Sequence, residues 1–349
     1  MSESLRVVVA APLDPELAEL IVRREPRIDL VMDRDLLPPM RHPADFAGDP
    51  AFVRGAAQQA AYEAMIDTAD ALYGIPDVDP AALARAVRAN PRLRWVHAMA
   101  AGGGGQVRAA GLTGEELERV AFTTSAGVHG EPLAEFAVFG VLAGAKHLPR
   151  LLEQQRAREW SGRWLMSQLS EQTVLVLGLG GIGRAVAAKL SALGMTVIGT
   201  SRSGASAPGV ARTVHPAEIA EILGQVDAVV TTLPGTEATH HLIDADLLAR
   251  LRPGATVVNV GRGTVIDEAA LLGALESGAV GFAALDVFEI EPLPEDSPLW
   301  AHPRVLVSPH TAALTAGEER RIAELFARNA SRLLDGSTMT NRVDTVEFY

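Results

Sequence analysis

The chain has no cysteine. This excludes disulfides, thiolate-bound zinc, iron–sulfur clusters and cysteine nucleophiles, so any catalysis must rest on oxygen and nitrogen groups or on a bound cofactor. Aromatic residues make up only 5% of the 349 positions, and positive charge is also scarce, with 31 Lys and Arg against 43 Asp and Glu for a formal balance of −12. Nucleic-acid binding needs clustered basic residues, so DNA and RNA are disfavoured partners. No run approaches the roughly 18 uninterrupted apolar residues of a membrane span. The longest candidate, residues 133–145, is interrupted by Glu135 and Gly140. The first residues lack the basic region and long apolar stretch of a signal peptide, so the expectation is a cytoplasmic protein with no membrane partner.

What is present is ample core material, 48% hydrophobic residues. At roughly 100–200 residues per domain, the length predicts two domains. Short β-branched runs alternate with longer Ala/Leu/Arg segments, the pattern of parallel sheets covered by helices, and the pattern occurs twice. The first series predicts strands at residues 6–10, 28–32, 71–74, 94–98 and 120–124, with helices at 15–24, 52–68 and 80–89. A proline-rich insertion at 37–50 reads as a loop, either the rim of a site or a surface excursion. Residues 131–158 read as one long connecting helix with Pro132 in its first turn. The second series predicts strands at 173–177, 196–200, 227–233, 255–260, 281–287 and 305–308, and helices at 184–193, 216–223, 245–250 and 268–276. A last helix at 316–334 has no strand left to follow and is expected to pack on the first domain. The expected domains are therefore 1–125 with 312–349, and 126–311.

Within the second series an apolar strand runs into Gly178-Leu-Gly180-Gly181-Ile182-Gly183 and then into a helix. G-x-G-x-x-G alone is a weak signal, but strand, helix and following strand all fall where a dinucleotide-binding unit needs them. Gly178 would permit the turn, Gly180 the approach of backbone to a pyrophosphate, and Gly183 tight helix packing, with the phosphates at the helix N-terminus. The end of the next strand decides between dinucleotides, because an acid there binds the ribose and repels a 2′-phosphate. Ser201, Arg202 and Ser203 stand at that place, and no acid occurs between Glu171 and Glu218. NADP(H) is the preferred expectation, with NAD(H) as the alternative.

Three further strands each end on an ionisable residue: Arg262 after residues 257–261, Asp286 with Glu291 beyond it, and His310 after residues 305–309. Strand carboxyl ends face the ligand crevice of a doubly wound sheet, so these side chains are expected to converge on the nicotinamide. Together with residues 125–135 and 232–243, these segments resemble the D-2-hydroxyacid dehydrogenase family, the D-isomer-specific group that includes glyoxylate/hydroxypyruvate reductases and phosphoglycerate dehydrogenase. The resemblance covers roughly residues 90–345. It implies two doubly wound α/β parallel-sheet domains with a cleft between them, a Rossmann cofactor domain and a flavodoxin-like substrate domain.

The family's catalytic arginine, glutamate and histidine fall on Arg262, Glu291 and His310, with Glu289 as a neighbour. The resemblance also implies cofactor contacts from Leu233, Pro234, Val260, Gly261 and Asp286. Reduction of a 2-keto acid needs a hydride, a proton for the developing alkoxide and a cation on the carboxylate and carbonyl. In this reading His310 supplies the proton, Glu291 supports it, and Arg262 holds the substrate.

Residues 99–106 correspond to the family loop whose backbone N–H groups receive the substrate carboxylate, here Ala101, Gly102 and Gly103. The four consecutive glycines make a nest-like anion site credible and the loop floppy, and they depart from the usual form of the segment. His97, His129, Trp164 and Trp300 are further pocket candidates. The expected partner is a small 2-keto or 2-hydroxy acid, with no metal site, and family resemblance implies a homodimer through residues 131–158 and the Trp160/Trp164 loop. Two alternatives stand beside the reductase: a phosphoglycerate dehydrogenase-like enzyme, and a non-catalytic dinucleotide-sensing protein of the corepressor kind.

Overall fold

Alternating apolar strands and amphipathic helices build two parallel sheets, seen in a computed structural model that describes residues 4–346 and Phe348. The chain divides into one unit of Met1–His129 with Leu314–Tyr349 and a second of Gly130–Ala313.

In the first unit, β1 (Leu5–Val9) leads through α1 (Pro15–Arg24) to β2 (Ile28–Val31), and α2 (Ala56–Ile66) to β3 (Ala71–Tyr73). Next come α3 (Pro80–Ala89), β4 (Trp95–Ala98), α4 (Gly104–Ala109), α5 (Gly114–Arg119) and β5 (Ala121–Thr124). The helices begin where capping chemistry directs: the Asp14 side chain accepts the Glu16 N–H at 2.7 Å with Pro15 in the first turn, and Asp79 with Pro80 repeats the arrangement in α3. The central strands are largely buried on both faces, hence their mostly apolar composition. Their order, β2-β1-β3-β4-β5, all parallel, is the flavodoxin-like order expected. The C-terminal helix, Glu318–Leu334, belongs to this unit, and its Phe326 stacks on Trp95 with centroids 4.4 Å apart and meets Tyr73 edge-on at 5.0 Å.

The second unit opens with α6 (Gly130–Ala145) and α7 (Leu148–Ala157), followed by β6 (Thr173–Leu177), α8 (Gly181–Ala192), β7 (Thr196–Thr200) and β8 (Arg212–Val214). It continues through α9 (Ile219–Ile222), β9 (Ala228–Thr231), α10 (Ala245–Ala249), β10 (Ala255–Asn259), α11 (Glu268–Ser277), β11 (Val280–Leu285) and β12 (Val305–Val307). The order β12-β11-β10-β9-β6-β7-β8 is doubly wound and parallel throughout, reversing between β6 and β9. Helix α6 lies on β10 and β11 because Gly140 and Gly144 leave no side chain in the way: a Cβ at Gly140 would stand 2.9 Å from Ala284 Cβ, and one at Gly144 would overlap Thr256 Oγ1.

Four local expectations change. Residues 131–158 form two helices, not one, because Pro149 has no N–H to continue the ladder and His147 turns into the left-handed region at φ +52°. The freed Ala145 carbonyl accepts the Ser167 N–H at 3.1 Å instead. Helix α8 starts on Gly181, inside the glycine motif, three residues before the predicted start. Strand β8 lies in a stretch that read as loop, since three residues are too few to show a period. The segment expected to be a floppy glycine loop winds into α4 from Gly104 onward.

Candidate active site

The glycine motif sits at the switch point of the second sheet, where β6 ends and α8 begins. Gly178 has φ +92°, a conformation that excludes ordinary side chains, and its N–H donates to Thr200 Oγ1 at 2.9 Å. Thr232 Oγ1 donates to the Gly178 carbonyl at 2.9 Å, so threonines from β7 and the end of β9 brace the turn from both sides. A Cβ at Gly183 would overlap the Gly178 carbonyl, which makes Gly183 the residue that brings helix and strand together. At Gly180 a Cβ would meet nothing, so the backbone there is open to a ligand, and exposed Gly181 begins the helix beside half-buried Ile182. Past β7, Ser201 and Ser203 pair their hydroxyls at 3.1 Å in a turn that also carries exposed Arg202, and the Ser201 N–H holds the turn to Val214 O.

Arg262 stands on a turn clipped by a residue that the sequence reading did not single out. Asn259 Oδ1 accepts the Gly261 N–H at 3.0 Å, and its Nδ2 donates to the Arg262 carbonyl at 3.0 Å. The exposed guanidinium folds back through Nη1 onto the Gly261 carbonyl at 2.7 Å. The Asn-x-x-Arg spacing itself was the available signal, because a side-chain amide carries a donor and an acceptor that can both reach the backbone across so short a turn. Val260 and Gly261 are buried beneath it, while Leu233 is half-buried and Pro234 exposed on the neighbouring strand end.

His310 and Glu291 meet. Nδ1 lies 2.7 Å from Glu291 Oε2, and Glu291 Oε1 accepts the Phe288 N–H at 3.0 Å, so the carboxylate is oriented by backbone on one side and holds the imidazole on the other. A carboxylate accepts only, so Nδ1 carries the hydrogen and Nε2 is the ring atom left to face a substrate. His310 has φ +52°, rare outside glycine, and such strain is typical of functional positions.

Asp286 is buried at 1% exposure. Its Oδ1 accepts from Ser308 Oγ at 2.5 Å and from the Thr311 and Ala312 N–H groups at 3.0 Å, tying β11 to the segment that bears His310. Among the described residues its Oδ2 has no partner, a buried acceptor in want of a donor.

Other candidates serve the fold. His97 is fully buried between Thr123 Oγ1 and Ser125 Oγ, at 2.8 and 3.2 Å, and burial pushes its imidazole down to about 3, so it is a neutral core residue. His129 bonds Glu318 at 2.8 Å, Trp300 anchors its indole on the Pro294 carbonyl, and Trp164 lies under Arg150 at 4.3 Å. Ala101 and Gly102 are exposed, but the Gly103 N–H is taken by the Ala100 carbonyl, and a Cβ there would overlap Ala98. Gly103 therefore answers a packing demand within its own turn.

Similarity to known proteins follows the same lines. A family model described as D-isomer specific 2-hydroxyacid dehydrogenase, NAD binding domain, matches residues 138–312. Glyoxylate/hydroxypyruvate reductase A of Salmonella typhimurium is 38% identical over 225 residues, 63% of this chain and 70% of that protein. Among solved structures, a D-isomer specific 2-hydroxyacid dehydrogenase from Xanthobacter autotrophicus Py2 in complex with NADPH and MES aligns with a TM-score of 0.75 and 31% identity, covering 99% of this chain and 100% of that one. An NADPH-dependent glyoxylate/hydroxypyruvate reductase from Sinorhizobium meliloti in complex with NADP and sulfate aligns equally well, at 0.75 and 27% identity, over 99% and 100% of the two chains. With its doubly wound sheets, its glycine turn and its Arg, Glu and His on strand ends, the chain belongs to the D-isomer-specific 2-hydroxyacid dehydrogenase family.

Proposed function

We propose that the protein is an NADP(H)-preferring reductase of small 2-keto acids such as glyoxylate or hydroxypyruvate. The observation that carries this reading is the His310–Glu291 pair at 2.7 Å on the sheet that also bears the open glycine turn. The cofactor fits the residues present. Gly180 leaves room for a pyrophosphate, the turn of Ser201, Arg202 and Ser203 offers hydroxyl and guanidinium donors to a 2′-phosphate with no acid from 172 to 217 to oppose it, and the unpartnered Asp286 Oδ2 is an acceptor for a carboxamide N–H. When bound, the nicotinamide supplies the hydride.

The protein's own groups supply the rest. Arg262 binds the substrate carboxylate and polarises the carbonyl. His310, with Nδ1 held by Glu291, is placed to give a proton from Nε2 to the carbonyl oxygen. The product of the reduction would be a 2-hydroxy acid. In the reverse direction the same imidazole accepts the hydroxyl proton.

The test is a panel of keto acids run with NADPH and with NADH. Turnover with NADPH exceeding that with NADH supports the proposal, and equal or better rates with NADH refute the cofactor preference. Inertness across the panel despite tight dinucleotide binding would favour the sensing protein instead.

We also propose a cytoplasmic homodimer. Among the described residues no helix is long and apolar enough to cross a membrane. Leu151 and Leu152 of α7, with Trp160 and Leu165 beyond it, stand exposed, Trp160 completely, and an apolar group of this kind is a natural interface. Light scattering giving a monomer mass at micromolar concentration would contradict the dimer.

A further inference from the structure

Two residues before Glu291 lies a second carboxylate pair that the proposed mechanism leaves unused. Glu289 Oε1 accepts the Glu268 N–H at 2.9 Å, and Glu268 Oε1 accepts the Glu289 N–H at 2.7 Å. This exchange closes a reciprocal clamp between the first turn of α11 and the turn that follows β11. His241 brings Nε2 to 3.1 Å from Glu289 Oε1, with Asp267 3.9 Å from its other nitrogen. Burial pushes the Glu268 carboxyl above its usual range, and the charges of Glu289 and Glu291 add to that push. Each carboxylate is held by the other residue's backbone N–H, so the arrangement is specific in geometry.

The clamp leads directly to the site. Phe288, bonded in the chain to Glu289, gives its N–H to Glu291 Oε1 at 3.0 Å, and Glu291 holds His310. On the other side, a Cβ on Gly263, the residue after Arg262, would overlap the Phe288 carbonyl. The Phe288–Glu289 peptide is thus seated between the turn that carries Arg262 and the carboxylate that orients His310. We propose that Glu268, with Glu289, is a positioning residue that fixes this peptide and through it the Glu291–His310 pair. The inference rests on the catalytic reading of Arg262, Glu291 and His310.

The experiment compares E268A, E268Q, E291Q and the double variant E268A/E291Q, with kcat, KM and NADPH dissociation measured separately. Misplacing a catalytic group by a fraction of an ångström costs on the order of tenfold, so E268A should lower kcat by about that factor and leave the NADPH dissociation constant unchanged. E268Q keeps an oxygen that accepts the Glu289 N–H and should recover most of the rate. If Glu268 acts through Glu291, E268A adds no loss in the E291Q background, the signature of two residues working as a unit.

Wild-type kcat in E268A, equal defects in E268A and E268Q, or multiplying losses in the double variant would each overturn the proposal. Should E268A fail to fold, E289A carries the same test through the other half of the clamp, where Glu289 Oε1 accepts the Glu268 N–H: a kcat loss of roughly threefold in the wild-type background and none in E291Q. Undiminished kcat in E289A would then overturn it. Full activity in E291Q and H310A would instead sink the catalytic reading on which the inference stands.

Discussion

Single side chains in this protein were readable in the sequence where chemistry restricts the choice of residue. Arg262 and Glu291 follow buried strands, His310 follows the half-buried edge strand β12, and a glycine pattern announces its own turn. Less visible were the groups that aim them. Asn259 clips the turn that carries Arg262, and the Phe288 N–H on Glu291 is a backbone contact that no side-chain pattern encodes. The residue roles make a prediction for Arg262. Its planar fork can grip carboxylate and carbonyl together, whereas lysine offers a point charge, so Arg262→Lys should reduce kcat/KM by about a hundredfold in steady-state assays while NADPH binding persists. A rate within a few-fold of wild type would show that any cation suffices.

Elements were legible in proportion to their length and period. The long strands and capped helices of both sheets announce themselves, whereas β8 has only three residues and α4 begins in consecutive glycines, which have low helix propensity and hide the turn that packs there. The split between α6 and α7 was open to reading from Pro149 alone, but the apolar residues on either side suggested continuity. Helix α6 also shows why glycine inside a helix need not mean weakness. Gly144→Ala, which normally favours a helix, should here lower the melting temperature by several degrees, because the added Cβ overlaps Thr256 Oγ1 on β10 and overpacking costs roughly 1–3 kcal/mol. An unchanged or raised melting temperature in calorimetry would mean that the contact relaxes at no cost.

The whole chain carries a surplus of acid, yet its pH response depends on individual groups. His97, neutral in the core with its imidazole pushed down to about 3 by burial, takes up a proton near 6.5 once unfolded. Between those values the unfolded state binds more protons, so stability falls as pH drops. Glu25 beside Arg27 and Asp45 beside Arg41 are both held near 2 by their guanidinium hydrogen bonds, and their contributions fade lower, as pH falls through about 4. Buried Glu319 and half-buried Glu268, pushed upward, act in the opposite sense and soften the loss. Melting temperatures recorded from about pH 7 to about pH 5 should therefore decline in the wild type and decline less in His97→Gln. Parallel curves for the two would remove His97 from the account.

Net charge, which argued against a nucleic-acid surface, says nothing of the local field: no acid lies from 172 to 217, where an anionic dinucleotide is proposed to bind. The most direct measurement is NADPH oxidation with glyoxylate and hydroxypyruvate by wild type and His310→Ala, beside fluorescence titration of NADPH onto both. The account predicts turnover in the wild type, a loss on the order of a thousandfold in the variant, and matched NADPH affinities. A variant that turns over at the wild-type rate, or a wild type inert to every 2-keto acid offered, would contradict it.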